Sequence, residues 1–167
     1  MNALAVAILA FVTAERLLEL VLARSNTSRL LAQGAREHGA AHYPLIFVVH
    51  AAWLATLWIM ATGRQIDPFW LAVFGMLMIA RVWVIATLGR RWTTRIIVLP
   101  DAPLVQDGPY RFLNHPNYWV VAGEIAVLPL ALGLPWVALI FSALNAAVLA
   151  IRIAAENKAL GVARRSF

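Results

Sequence analysis

The chain places Gly108-Pro109-Tyr110-Arg111-Phe112-Leu113-Asn114-His115-Pro116-Asn117-Tyr118 in the longest polar connection of a very hydrophobic sequence. Imidazole, phenol, amide and guanidinium groups are gathered there just before an apolar run. Pro116 stands where a helix would begin, because proline in the first helical position gives up no hydrogen bond. The backbone amides that follow have no helical acceptor yet, so they form a site for an anion such as a carboxylate. The pattern predicts a small-molecule site at a membrane surface.

A second constellation closes the sequence. Asn145, Arg152 and Glu156 are separated by seven and four residues, so one helical stripe presents all three. Arg152 and Glu156 fall at about the depth of the His115 loop. Either Arg152 snorkels to the interface, or Glu156 binds a cationic ligand group while Arg152 grips an anionic one. Glu15, Arg16, Glu19, His50, Arg81 and Glu124 lie inside apolar stretches, where charge is costly. Glu15 and Glu19 share a helical face, with Arg16 and Arg81 as partners. This set reads as internal ion pairing that fixes helix packing, or as a proton or ion path. His50 reads as a satisfied core histidine. Glu124, two turns inside the helix that Pro116 opens, reads either as packing or as a substrate contact. The seven tryptophans fall partly near span ends, where interfacial belts are expected.

Several catalytic classes drop out. With no cysteine there is no thiolate ligand, disulfide or thiol nucleophile. The four histidines are scattered rather than paired for a metal. Neither a Gly-x-Ser-x-Gly elbow nor a phosphate-cradling glycine loop is present. What remains suits a reaction driven by alignment in a dry site, such as in-line methyl transfer from a sulfonium donor.

These groups must be positioned by membrane helices. The chain is 62% hydrophobic, with mean hydropathy +0.77 and only 13% charged residues; soluble domains carry about 25%. Five transmembrane spans are expected, at about 2–23, 43–62, 68–88, 116–132 and 135–153, in a single domain covering 1–167. The fold class is all-α and integral to the membrane, with a cytoplasmic cofactor-binding loop and a final helical hairpin. The first span lacks a basic leader and carries Glu15, Arg16 and Glu19, so it reads as a true span rather than a signal peptide. Residues 63–67 and 133–135 read as tight turns. The segment Trp92-Thr93-Thr94-Arg95-Ile96-Ile97-Val98-Leu99 is β-branched and predicts a short extended piece. Arg24, Arg29, Arg36, Arg90, Arg91, Arg95, Arg111, Lys158, Arg164 and Arg165 fall on one side and only Arg64 on the other. The positive-inside rule puts the amino terminus outside and the carboxyl terminus in the cytoplasm. The net charge of +6 then serves topology and anionic headgroups rather than nucleic acid.

Gly108-Pro109-Tyr110, His115-Pro116-Asn117-Tyr118, and Arg152 with Glu156 resemble the isoprenylcysteine carboxyl methyltransferase family of membrane enzymes. That family carries Gly-Pro-Tyr, then Arg-His-Pro-x-Tyr opening a helix, then Arg-x-x-x-Glu on the last long helix; Leu104-Val105 also looks like its Leu-Val pair. The first half, with Glu15-Arg16, Glu19-Leu20, Gly34, His42-Tyr43-Pro44 and His50, and later Glu124 before Pro129-Leu130, is similar to a small bacterial branch. Some members of that branch are thought to methylate polyketide-derived lipids such as alkylpyrones or phenolic lipids.

The resemblance implies S-adenosyl-L-methionine as methyl donor. It would be lined by Leu104, Val105, Tyr110, His115, Pro116, Asn117, Tyr118 and Glu156, with Arg152 and Glu124 toward the substrate and Arg152 and Glu156 as catalytic residues. The partner implied is a lipophilic acceptor or lipid, methylated on a carboxylate or an acidic enol or phenol oxygen. Where a base is needed, Glu124 or His115 would serve. Three departures stand out. Asn114 replaces the arginine before His-Pro, Asn157 replaces a second glutamate, and the chain stops soon after Arg165, lacking the aromatic tail of the eukaryotic enzymes. The competing expectations are a non-enzymatic transporter or assembly subunit built on the intramembrane charges, and a phospholipid N-methyltransferase.

Overall fold

Prolines fix where four helices start. The computed structural model describes residues 3–100 and 102–165, with side chains as far as Gly161. Asp101 and the side chains of Arg164 and Arg165, two of the basic groups counted above, lie outside the described residues. Helix α1 covers Ala3–Ala32, α2 Tyr43–Met60, α3 Pro68–Leu88, α4 Pro116–Ala131 and α5 Pro135–Arg165. Pro44, Pro68 and Pro116 each sit in the first positions of their helix, where the missing N–H has no partner to lose. Asp67 caps α3 by accepting from the Phe69 and Trp70 amides at 2.9 and 3.2 Å.

Helix α1 buries Ala5, Leu9, Val12, Glu19, Ala23, Asn26 and Leu30, a single stripe of helical period. It runs past the expected end at 23 because its polar extension has partners. Asn26 Nδ2 donates to the Trp92 and Gly89 carbonyls at 2.8 and 3.2 Å, and Arg29 donates to the Arg90 carbonyl at 2.6 Å. Helix α5 likewise continues beyond 153.

The helices α4 and α5 form a hairpin. Gly133 takes φ +66°, its amide donates to Leu130 O at 3.0 Å, and the Leu134 amide donates to Pro129 O at 2.8 Å. This is a left-handed helix stop that glycine adopts without steric cost. The Asp67 amide donates to Ala131 O at 2.9 Å, tying the α2–α3 turn to the α4–α5 turn at one end of the bundle. At that end Leu9, Val12, Trp53, Leu57, Phe74, Ile125, Leu128 and Leu132 belong to the hydrophobic core.

The opposite end carries a small antiparallel sheet. Strand β2 (Ile96–Val98) is the expected extended piece, shorter than its pattern suggested. Its partner β1 (Arg36–His38) aligns Arg36 with Val98 and His38 with Ile96. An Arg95–Glu37 ion pair at 2.8 Å runs alongside.

Three stretches, Ala40–Met60, Pro68–Arg91 and Pro135–Gly161, are long and apolar enough to cross a membrane. Their outward faces are apolar: Ile59 is 76%, Trp136 74% and Ile79 72% exposed. Soluble monomers rarely leave continuous patches of this kind uncovered. The protein is a mostly helical membrane protein. Helix α1 is long enough to span but carries Glu15, Arg16 and Glu19 in its apolar half. Helix α4 has 16 residues, about 24 Å at the usual rise, against roughly 30 Å of hydrocarbon.

Candidate active site at the junction of two cavities

The Gly108-Pro109-Tyr110 motif folds as a 3₁₀ turn over Gly108–Arg111. Gly108 has φ +54°, and a Cβ there would meet Thr87 Oγ1 at 2.6 Å. Glycine therefore serves both the backbone conformation and the close approach to α3. The turn half-buries Tyr110. Burial, with the nearby Glu156 carboxylate, pushes its phenol well above the usual tyrosine range, so it stays a neutral hydroxyl.

His115 occupies the cap position of α4 but gives no side-chain cap to the helix start. Its ring instead stacks on Tyr118, with centroids 5.3 Å apart and planes 20° from parallel. The α4 start is thus not closed by its own cap residue, as an anion site requires.

Tyr118 is the hub. Its hydroxyl accepts from Arg152 Nε at 2.7 Å and donates to the Glu156 carboxylate. The Arg152 guanidinium lies 5.5 Å from the Tyr118 ring centroid. Glu156 Oε2 is also 3.6 Å from His115 Nδ1, and Asn157 Oδ1 is 3.1 Å from His115 Nε2. Thus the residue standing in place of a second glutamate orients the imidazole from its far side. Arg152 is buried, yet its two terminal nitrogens have no hydrogen-bond partner among the described residues. Asn117 Oδ1 is buried without a partner. Such groups are costly unless something else meets them.

Two cavities meet at Tyr118 and Leu149, which line both. One, about 620 Å³, lies between α4 and α5 and is bordered by Asn114, His115, Trp119 and Asn145. The other, about 270 Å³, is enclosed by all five helices and the residues before β2. Its polar wall includes Arg16, His50, Arg81, Asn117 and Arg152, and its apolar rim includes Leu17 and Phe47. Leu17 and Phe47 are exposed, so this rim faces lipid.

The sequence-predicted residues are distributed unevenly. His115, Asn117, Tyr118, Arg152 and Glu156 come together, with Tyr110 close to Glu156. Pro116 is buried beneath them as the helix start. Leu104 and Val105 precede the Gly108 turn; they, Tyr110, Pro116 and Glu156 line neither of these two cavities. Glu124 is 1% exposed and lines neither of them. Its Oε2 accepts from Arg16 at 2.5 Å and from Arg81 at 2.9 Å. Arg81 also binds Glu19, through Nε and through Nη2 at 2.5 Å, and Arg16 donates to Glu19 at 3.1 Å. Glu15 lies 3.2 Å from Arg81 Nε. The intramembrane charges therefore meet one another in a closed cluster of α1, α3 and α4. Among the described residues, no group of three His, Cys, Asp or Glu is placed to hold a metal. The feature that sequence reasoning missed is His50, which is half-buried on a cavity wall rather than in the core. Its neighbours Ile46, Phe47 and Leu54 are apolar, so the local pattern carried no signal.

The donor that the sequence resemblance implies fits these residues. S-Adenosylmethionine carries an ammonium and a carboxylate, and the site offers Glu156 and the uncapped α4 start.

A profile of the isoprenylcysteine carboxyl methyltransferase (ICMT) family matches residues 70–162. The chain is 36% identical to the uncharacterised protein YpbQ of Bacillus subtilis, over 92% of this chain and 94% of that protein. It is 25% identical to an uncharacterised protein of Haemophilus influenzae, over 90% of this chain and 91% of the relative. No solved structure matches the chain. The matched stretch runs from α3 through Gly108, His115, Tyr118, Arg152 and Glu156, and on this evidence the chain belongs to the isoprenylcysteine carboxyl methyltransferase family.

Proposed function

We propose that the protein is an S-adenosylmethionine-dependent methyltransferase acting on a lipophilic acceptor through an acidic oxygen. The observation that carries this reading is the Arg152–Tyr118–Glu156 chain of hydrogen bonds, whose middle member lines both cavities while Arg152 lines the smaller one. Transfer between two bound molecules requires two compartments that meet at the reacting atoms and exclude water.

When bound, the donor supplies a sulfonium-activated methyl group. Glu156 holds its ammonium and the start of α4 its carboxylate, while His115 and Tyr118 wall it and Tyr110 keeps a neutral hydroxyl close by. Arg152 presents its free terminal nitrogens to the acceptor oxygen in the smaller cavity, and Tyr118 keeps that guanidinium in place. Apolar tails enter past Leu17 and Phe47. In this reading α1 and α4 also lie within the bilayer, giving five spans, because their charges are turned inward and paired. The basic end carrying the sheet and the Gly108 turn faces the cytoplasm. Glu124 acts behind Arg16 and Arg81 as a positioning residue.

Calorimetry on detergent-purified protein tests the donor site directly. Wild type binds S-adenosylmethionine, and Glu156→Ala weakens that binding by about ten- to a hundredfold, the range for a hydrogen bond to a charged group. Absence of binding by folded wild-type protein overturns the reading.

A further inference from the structure

The smaller cavity contains a base that the family match does not explain. His50 lies in α2, on the wall shared with Arg152, Tyr118 and Asn117. Its Nδ1 is 2.9 Å from the Ile46 carbonyl oxygen, which can only accept, so Nδ1 carries the hydrogen. In the neutral ring the lone pair is therefore on Nε2, which has no protein partner among the described residues. A backbone bond that fixes the tautomer and frees the other nitrogen is the arrangement a histidine needs to take a proton. The buried Asn117 Oδ1 on the same wall is a second unfilled acceptor. Unfilled donors, Trp53 Nε1 and Trp92 Nε1, belong to the same wall beside Arg152, so the cavity calls for a group that both donates and accepts, as a hydroxyl does.

We propose that the acceptor enters as a neutral hydroxyl compound of phenol or enol type, and that His50 Nε2 removes its proton. The inference rests on the methyltransferase reading above. During transfer the acceptor O–H bond breaks and the proton passes to Nε2. The freed oxygen pair forms the new O–CH₃ bond, while the donor's C–S bond breaks with its electrons going to sulfur. The products are a methyl ether, a neutral thioether and an imidazolium that returns its proton to water. Arg152 stabilises the oxygen as negative charge builds there, and a carboxylate acceptor would need no such base. The other charged or titratable groups facing His50 across the cavity are Arg16 and Glu19 from α1, Arg81 from α3, Tyr118 from α4 and Arg152 from α5, with Tyr43 on its own helix.

The test uses 2-dodecyl-4-nitrophenol, whose absorbance reports ionisation without any methyl donor. Bound to wild type in detergent, it ionises at lower pH than in protein-free micelles. His50→Asn keeps a side-chain donor for the Ile46 carbonyl but removes the base, and His50→Gln keeps a polar acceptor that cannot take the proton. In both variants the ionisation midpoint of the bound probe rises toward the micelle value. Methylation of the dodecyl phenol falls about a hundredfold, the lower end for a lost acid–base group. Donor binding and thermal unfolding stay at wild-type values. Unchanged probe ionisation in both variants, or failure of wild type to bind the phenol while it binds the donor, overturns the role of His50. Loss of donor binding by wild type itself overturns the methyltransferase reading instead, so the two failures are told apart.

Discussion

The protein contains two arginine–glutamate constellations that differ in what the terminal nitrogens of their cations meet. In the α1–α3–α4 cluster, the four terminal nitrogens of Arg16 and Arg81 all donate to Glu19 or Glu124, while Glu15 Oε2, Arg16 Nε and Glu124 Oε1 have no hydrogen bond. At the α4–α5 junction, Arg152 has one protein hydrogen bond, to a phenol, and two terminal nitrogens with none. The first arrangement fastens three helices to one another through buried charge. The second holds a cation in place without consuming it. Ionisable residues in a membrane segment are thus not informative by number or depth alone; a guanidinium whose terminal nitrogens meet no carboxylate marks the candidate site.

The contrast breaks most visibly at Arg81. Arg81→Ala leaves Glu19 and Glu124 buried with half their counter-charge, and losing one partner of a buried pair costs about 3–5 kcal/mol. Thermal unfolding in detergent is expected to collapse, with donor binding lost only together with the fold. A stable, well-folded variant would place Arg81 with Arg152 instead. Arg152→Ala tests the other half. Loss of a charged donor to the acceptor, about 1.5–3 kcal/mol, lowers turnover by roughly ten- to a hundredfold, while unfolding temperature and donor affinity change little. Equal loss of donor binding would contradict the separate roles of Arg152 and Glu156. Tyr118→Phe is the mildest of the three. It removes the hydroxyl linking Arg152 to Glu156 at about 1.5 kcal/mol, the low end for bonds to charged groups, roughly a tenfold drop in turnover, and pairing Tyr118→Phe with Arg152→Ala should give much less than the sum of the two effects.

The same contrast shows what the sequence could reveal. Pro68 and Pro116 mark helix starts because the constraint is local to the ring. Glu15 and Glu19 declare a shared face by spacing, and Arg81 is legible as a buried cation in need of partners. That Glu124 joins them depends on how α4 packs against α1, a long-range fact with no local signature. Strand β2 shows through its run of Ile96, Ile97 and Val98, but β1 is Arg-Glu-His and owes its extended shape to pairing with β2. The extension of α1 past 23 was hidden for a similar reason: Asn26 and Arg29 look like surface residues until the Gly89, Arg90 and Trp92 carbonyls are brought beside them. The motif residues His115, Tyr118, Arg152 and Glu156 were readable as a set, whereas the two cavities that meet at Tyr118 were not.

If a lipophilic acceptor enters past Leu17 and Phe47, as proposed above, the rim decides how rates must be measured. A molecule that enters there arrives from a two-dimensional solvent, and its supply is set by its mole fraction among the lipids rather than by its amount per litre. Adding inert lipid at constant total acceptor would slow the protein, and adding buffer would not. A saturation constant for this protein therefore belongs in units of surface composition.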